Sequence, residues 1–139
     1  MFKRIMVAHD GSEGGFKAFT LACALAKRDR CALHMVSVEE LPDVPASLDE
    51  VIEIKEAEDH KFHAVLERAK KIAKTKGVRL KPEVLAGHPV TTIVNRVKTL
   101  KADLLVVGFM GHSALYERII GGTADRLVRL SPCPVLVVK

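Results

Sequence analysis

Four glycines stand where a phosphate could meet backbone amides. Gly108 and Gly111 are separated by two residues, and after nine more come Gly121, Gly122 and Thr123. A glycine carries no Cβ, so its N–H can approach a phosphate oxygen closely. A helix opening at Thr123 would add unpaired N–H groups and the positive end of its dipole. Neither a G-x-x-x-x-G-K-[ST] loop nor a G-x-G-x-x-G loop occurs in the chain. From residue chemistry alone these glycines read either as a phosphate cradle or as turns that follow strands.

A second polar cluster lies near the start, at His9-Asp10-Gly11-Ser12. Asp10 is a candidate ligand contact or a residue that supports its own turn. His9 reads as a pocket wall, because no Ser or Cys stands beside it as a nucleophile. His60 and His63 lie near Glu56, Asp59 and Glu67, so a metal is conceivable, but a solvated helix face explains the mixture better. His112 and Ser113 follow Gly111 and are candidates to reach phosphate, Ser113 equally to cap a short helix. Arg118 would either neutralise phosphate charge or lie in solvent. The three cysteines, Cys23, Cys31 and Cys133, form no C-x-x-C and no zinc spacing, so they read as reduced packing thiols.

The elements that must position these residues alternate. Phe2 to Ala8 is a short apolar run, read as a buried strand. A helix capped by Ser12 runs to about Arg28, with Phe16, Phe19, Cys23 and Ala26 on one stripe and Gly14 and Gly15 weakening its first turn. Cys31 to Val38 is a second strand, and Glu39 to Leu48, with Pro42 and Pro45, a loop long enough to act as a flap. Asp49 to Lys76 is a long helix striped by Val51, Ile54, Phe62, Val65, Ala69 and Ile72, interrupted by Glu58 and closed by Gly77. Val78 to Ala86 is a third strand. Pro89 opens a helix to about Leu100 that packs through Val90, Ile93, Val94 and Val97. Asp103 to Val107 is a fourth strand, Thr123 to Leu130 a last helix ended by Pro132 and Pro134, and Val135 to Val138 a fifth strand. Apolar strands alternating with helices predict a parallel sheet covered on both faces. Ligands of such sheets bind beyond the carboxyl ends of the strands, where Asp10 and Gly108 would meet.

Bulk properties narrow the function classes. A chain of 139 residues, 48% hydrophobic and 28% charged, fits one globular domain spanning 1–139. The formal net charge is +5, with Lys and Arg spread along the chain and no block of like charge. Aromatic residues are only 4%, which disfavours a stacking platform for single-stranded nucleic acid. No apolar stretch approaches the roughly 18 to 20 residues that span a bilayer, and no secretory leader is visible. The expectation is a cytoplasmic protein with neither a membrane nor a nucleic acid as partner.

The whole chain resembles the universal stress protein family. The likeness is carried by Ile5-Met6-Val7-Ala8-His9-Asp10-Gly11-Ser12, by Ala102-Asp103-Leu104-Leu105-Val106-Val107-Gly108, by the glycine spacing from Gly108 to Gly121, and by the run from Thr123 to Val138. The resemblance implies a doubly wound five-stranded parallel sheet in the order 3-2-1-4-5, adenine nucleotide alpha hydrolase-like. It implies ATP, alone or with Mg2+, across strands one and four. Carried over by position, Ala8 and His9 would line the adenine pocket, and Met35 would meet the adenine edge through its backbone. Asp10 would contact the ribose. Val107, Gly108 and Gly111 would line the ribose and phosphate path, with His112 beside it. Gly121, Gly122 and Thr123 would hold the phosphates. This chain departs from the family pattern at Gly122, where Ser or Thr is expected. One lost hydrogen bond to a charged group costs roughly 1.5–3 kcal/mol.

The implied role is a nucleotide-binding sensor or regulator rather than an enzyme, with a slow ATPase and a member that has lost nucleotide as alternatives. The apolar strand of Val135, Leu136, Val137 and Val138 is the expected homodimer edge. A receiver domain is rejected, because the third strand ends Leu85-Ala86-Gly87 with no carboxylate.

Overall fold

The computed structural model describes residues 1–40, 47–109 and 122–139. Its elements follow in the order β1 (Ile5–Ala8), α1 (Glu13–Asp29), β2 (Leu33–Glu40), α2 (Leu48–Lys76), β3 (Leu80–Gly87), α3 (Pro89–Leu100), β4 (Leu104–Gly108), α4 (Thr123–Leu130) and β5 (Val135–Val138). The strands form one sheet in the order β3-β2-β1-β4-β5, and every neighbouring pair is parallel. That is the expected order.

Alternation along the strands divides the core. Ile5 and Val7 of β1, Leu33 and Met35 of β2, and Leu104 and Val106 of β4 face α1 and the end of α2. Met6, Val36, Leu105 and Val107 face α3 and α4. The period of two sends successive side chains to opposite faces, so both faces become apolar and both are covered by helices. Phe19 is fully buried in the first layer, where truncation to Ala costs about 3–5 kcal/mol. Among the described residues, no helix is long and apolar enough to cross a membrane.

Local signals explain most boundaries. Ser12 caps α1 by accepting from the N–H of Gly15 at 3.0 Å. Gly77 closes α2 in the left-handed region at φ 69°, and Pro89 starts α3. The bounds of β1, β2 and β3 differ from the sequence expectation, β3 running Leu80–Gly87 rather than Val78–Ala86. β1 begins at Ile5 rather than Phe2, because the N–H groups of Lys3 and Arg4 turn aside to Asp103 at 2.8 and 3.0 Å. β2 starts at Leu33 and continues through Glu39 and Glu40, extending along β3 to the pair Glu40–Gly87. Those two residues therefore belong to a strand, and most of the expected flap lies outside the described residues. The stripe of α2 is also shorter than expected: Phe62, Val65, Ala69 and Ala73 are buried, whereas Ile54 is exposed.

Candidate nucleotide site

β1 and β4 are adjacent, and the chain leaves them toward opposite edges of the sheet. Their carboxyl ends therefore flank the switch point at which α/β sheets bind ligands. A cavity of about 260 Å3 opens there. This is close to the lower end of the roughly 300–1,000 Å3 usual for small-molecule sites. Ala8, His9 and Asp10 line it from β1, and Val107 and Gly108 from β4. Thr123 and Ala124 contribute from the start of α4. The far wall is Val36, Val38 and Glu40 of β2, with Glu58, Lys61 and Phe62 of α2.

The loop after β1 is held by its own side chains. Asp10 accepts from the N–H of Ser12 at 2.9 Å and from the Ser12 hydroxyl. Such side-chain-to-backbone bonds build an Asx-type turn. Asp10 thus supports the turn and lines the cavity at once, so the two readings of it are compatible.

His9 is 2% exposed. Its backbone joins the sheet through N–H to Val36 O at 3.0 Å, and its carbonyl accepts from the Ser37 hydroxyl at 2.7 Å. Nδ1 accepts from the Gly11 N–H at 3.0 Å, which places the proton of the neutral ring on Nε2. Nε2 has no hydrogen-bond partner among the described residues. The ring meets Phe16 edge to face, with centroids 4.2 Å apart. Burial pushes the imidazole down to about 4, against the pull of Asp10 and with the help of Arg68. A neutral, buried imidazole is a wall of the cavity.

Gly15 and Gly108 are required by close approach. A Cβ on Gly15 would stand 2.5 Å from His9 Nδ1, and one on Gly108 would stand 2.7 Å from the Gly14 carbonyl oxygen. The first turn of α1 is pressed against the ends of β1 and β4. Gly15, read as weakening that turn, and Gly108 are what allow the contact.

The start of α4 supplies the anion-binding element. Its N-cap is Gly122, which makes no side-chain cap hydrogen bond. The first amides of an eight-residue helix are thus left without a side-chain acceptor, beside the cavity wall formed by Thr123 and Ala124.

Several expected residues behave otherwise. Met35 is fully buried in the layer facing α1 and does not line the cavity; Val36 and Val38, on the opposite face of β2, do. Gly111, His112 and Gly121 lie outside the described residues, as do Ser113 and Arg118. His60 and His63 are exposed on α2, and no group of three His, Cys, Asp or Glu able to hold a metal occurs among the described residues. The cysteines are free: Cys23 is buried, and Cys31 and Cys133 half-buried.

Sequence reasoning missed Lys61, Glu58 and Glu40. Lys61 places a cation at the cavity, its Nζ 4.7 Å from the centroid of the Phe62 ring. The one available signal was Glu58. It interrupts the apolar stripe of α2 because that stretch of helix faces a polar cavity rather than core.

Relatives place this arrangement in a family. The universal stress protein family model matches residues 1–139. A universal stress protein of Methanocaldococcus jannaschii is 33% identical over 144 residues, covering 100% of this chain and 83% of that protein. Universal stress protein UspA from Lactobacillus plantarum has a TM-score of 0.84 at 27% identity, covering 99% of this chain and 97% of the other. A universal stress protein crystallised in complex with cAMP has a TM-score of 0.79 at 27% identity, with coverages of 99% and 97%. The chain therefore belongs to the universal stress protein family, and its fold is the adenine nucleotide alpha hydrolase-like sheet.

Proposed function

We propose that this protein binds an adenine nucleotide in the cavity between β1 and β4 and acts as a nucleotide-responsive regulator. The observation that carries the reading is the uncapped start of α4 opening on a cavity at the sheet's switch point. The related protein crystallised with cAMP supports the adenine nucleotide class. In this reading the apolar wall of Val36, Val38 and Phe62 takes the base and Asp10 the ribose. The α4 amides and Thr123 take phosphate, and Lys61 supplies countercharge. The finer form of the proposal is ATP, alone or with Mg2+, bound without rapid turnover by a homodimer paired along β5. β5 is a sheet edge with all four residues half-buried.

Titration calorimetry with ATP, ADP, AMP and cAMP, with and without Mg2+, tests the reading. Saturable heat with at least one nucleotide is expected. No heat and no thermal shift at millimolar nucleotide would overturn it. Light scattering against concentration tests the dimer.

One observation favours a second reading, a protein that has lost nucleotide and works through partner contacts. The Gly122 cap has no hydroxyl to offer a phosphate. If Gly122→Ser creates binding where the natural protein has none, the second reading stands.

A further inference from the structure

The end of the molecule opposite the cavity gathers charge that the sequence scatters. In a parallel sheet with crossover helices, every strand begins, and every helix ends, at the same end. Here that end is basic on every element. Lys3 and Arg4 precede β1. Lys27 and Arg28 lie in the last turn of α1, with Arg30 just after it. Lys74 and Lys76 close α2, and Arg79 leads into β3. Lys98 and Lys101 end α3, and Arg129 lies in the last turn of α4. All of these side chains are exposed.

The acids of the same turns and connections are Asp29 and Asp103, and both are occupied. Asp29 is buried, accepts from the Phe2 N–H at 2.8 Å and pairs with Arg28 at 2.8 Å. Asp103 accepts from the N–H groups of Lys3 and Arg4. Among the described residues, this end thus carries eleven Lys and Arg but only two Asp and Glu, a surplus of nine positive charges. The other described residues hold ten cations against thirteen acids, a deficit of three. A net charge of +5 conceals a basic pole on an otherwise acidic body.

Favourable contact with the helix dipoles accounts for part of this, since cations at helix C-termini stabilise them. Four helix ends do not need eleven cations, and Lys3, Arg4 and Arg79 lie on no helix.

We propose that this pole is a docking surface for an anionic membrane face. Clusters of four to eight Lys and Arg are enough to bind acidic lipid headgroups. The pole is a blunt end made of strand starts and helix ends, suited to a flat partner. Groove-reading of a duplex needs a helix or ribbon that enters it, and single-strand binding needs aromatic platforms. Among the described residues the pole has neither, its one aromatic being the half-buried Phe2. The exposed Leu130, at the end of α4, adds an apolar contact at the rim. The expectation of no membrane partner rested on the lack of a bilayer-spanning stretch and on cations dispersed along the chain; surface docking needs no span, and folding removes the dispersal. The proposal does not depend on nucleotide binding, since the cavity lies at the other end of the strands.

Vesicle flotation tests it, using phosphatidylcholine vesicles with and without about one-third phosphatidylserine, at low and high salt. Binding is expected to the anionic vesicles alone and to disappear at high salt. The variant Lys74→Gln, Lys76→Gln, Lys98→Gln, Lys101→Gln should weaken it by roughly fivefold per charge removed. Lys17→Gln with Lys139→Gln, away from the pole at the start of α1 and the end of β5, should leave it unchanged. All six positions are exposed, and circular dichroism establishes that each variant is folded. Equal binding to neutral vesicles, no binding to either, or insensitivity to the pole variant would overturn the proposal. So would tighter binding to duplex DNA or RNA at equal phosphate concentration.

Discussion

Replacing Gly108 by Ala separates packing from ligand binding at the centre of the site. The backbone of Gly108 does not need glycine's freedom, since its φ lies outside the left-handed region. The cost is steric. The new Cβ would stand 2.7 Å from the carbonyl oxygen of Gly14 and 2.9 Å from its carbonyl carbon. Ordinary contact begins near 3.4 Å, so the end of β4 and the first turn of α1 must part by about 0.7 Å. Both offending atoms are backbone, and no rotamer change relieves them. Overpacking of this kind costs typically 1–3 kcal/mol. A chain of this size loses roughly 3–4 °C of Tm per kcal/mol, so a drop of about 3–12 °C is expected. Urea unfolding followed by circular dichroism, together with a thermal melt, measures it. An Ala variant within about 0.5 kcal/mol of the parent would refute the packing argument. If that variant also lost nucleotide binding, Gly108 would be there for the ligand alone.

The remaining predictions follow from the same geometry. His9 is held neutral to about pH 4, while the unfolded chain protonates it near its ordinary value of 6.5. The unfolded state thus binds more protons in that window, so stability should fall by up to about 3 kcal/mol as pH drops from about 6.5 to 4. Thermal melts across that range should show a flatter profile for His9→Gln; an unchanged profile would remove His9 as the cause. Lys61→Met should weaken nucleotide binding by about ten- to a hundredfold in calorimetry, with little change in Tm, if Lys61 meets phosphate. Equal affinity would place the phosphate elsewhere. Gly122→Ser should tighten nucleotide binding by a similar factor by adding a hydroxyl at the α4 cap. Unchanged or weaker binding would show that the α4 amides suffice without it.

Much of the architecture is legible in the residues, because it depends on local chemistry. The bounds of α3 follow from Pro89 and the stripe Val90, Ile93, Val94 and Val97. Those of β5 follow from Pro134 and four consecutive apolar residues. Ser12 and Gly77 are the caps their types predict. Where the reading strays, a distant partner decides. β1 starts late because Asp103, a hundred residues from Lys3, takes the Lys3 amide. β2 runs on through Glu39 because β3 lies alongside it, and Lys55 pairs with the Glu39 carboxylate at 3.0 Å.

The site divides along the same line. Asp10, His9 and Gly108 are readable as a polar turn and a glycine at two strand ends. Lys61 and Glu58 are not, because only the packing of α2 beside α1, β2 and β3 brings them to the cavity. Met35 and Val36 are neighbours in sequence, yet the pleat sends one into the core and the other to the cavity wall. Composition and periodicity thus determine a doubly wound sheet and the ends of its strands as the place for a ligand. Tertiary structure alone decides which side chains share a surface. Lysines and arginines dispersed along the sequence become one basic pole because parallel strands joined by helices return every connection to the same end.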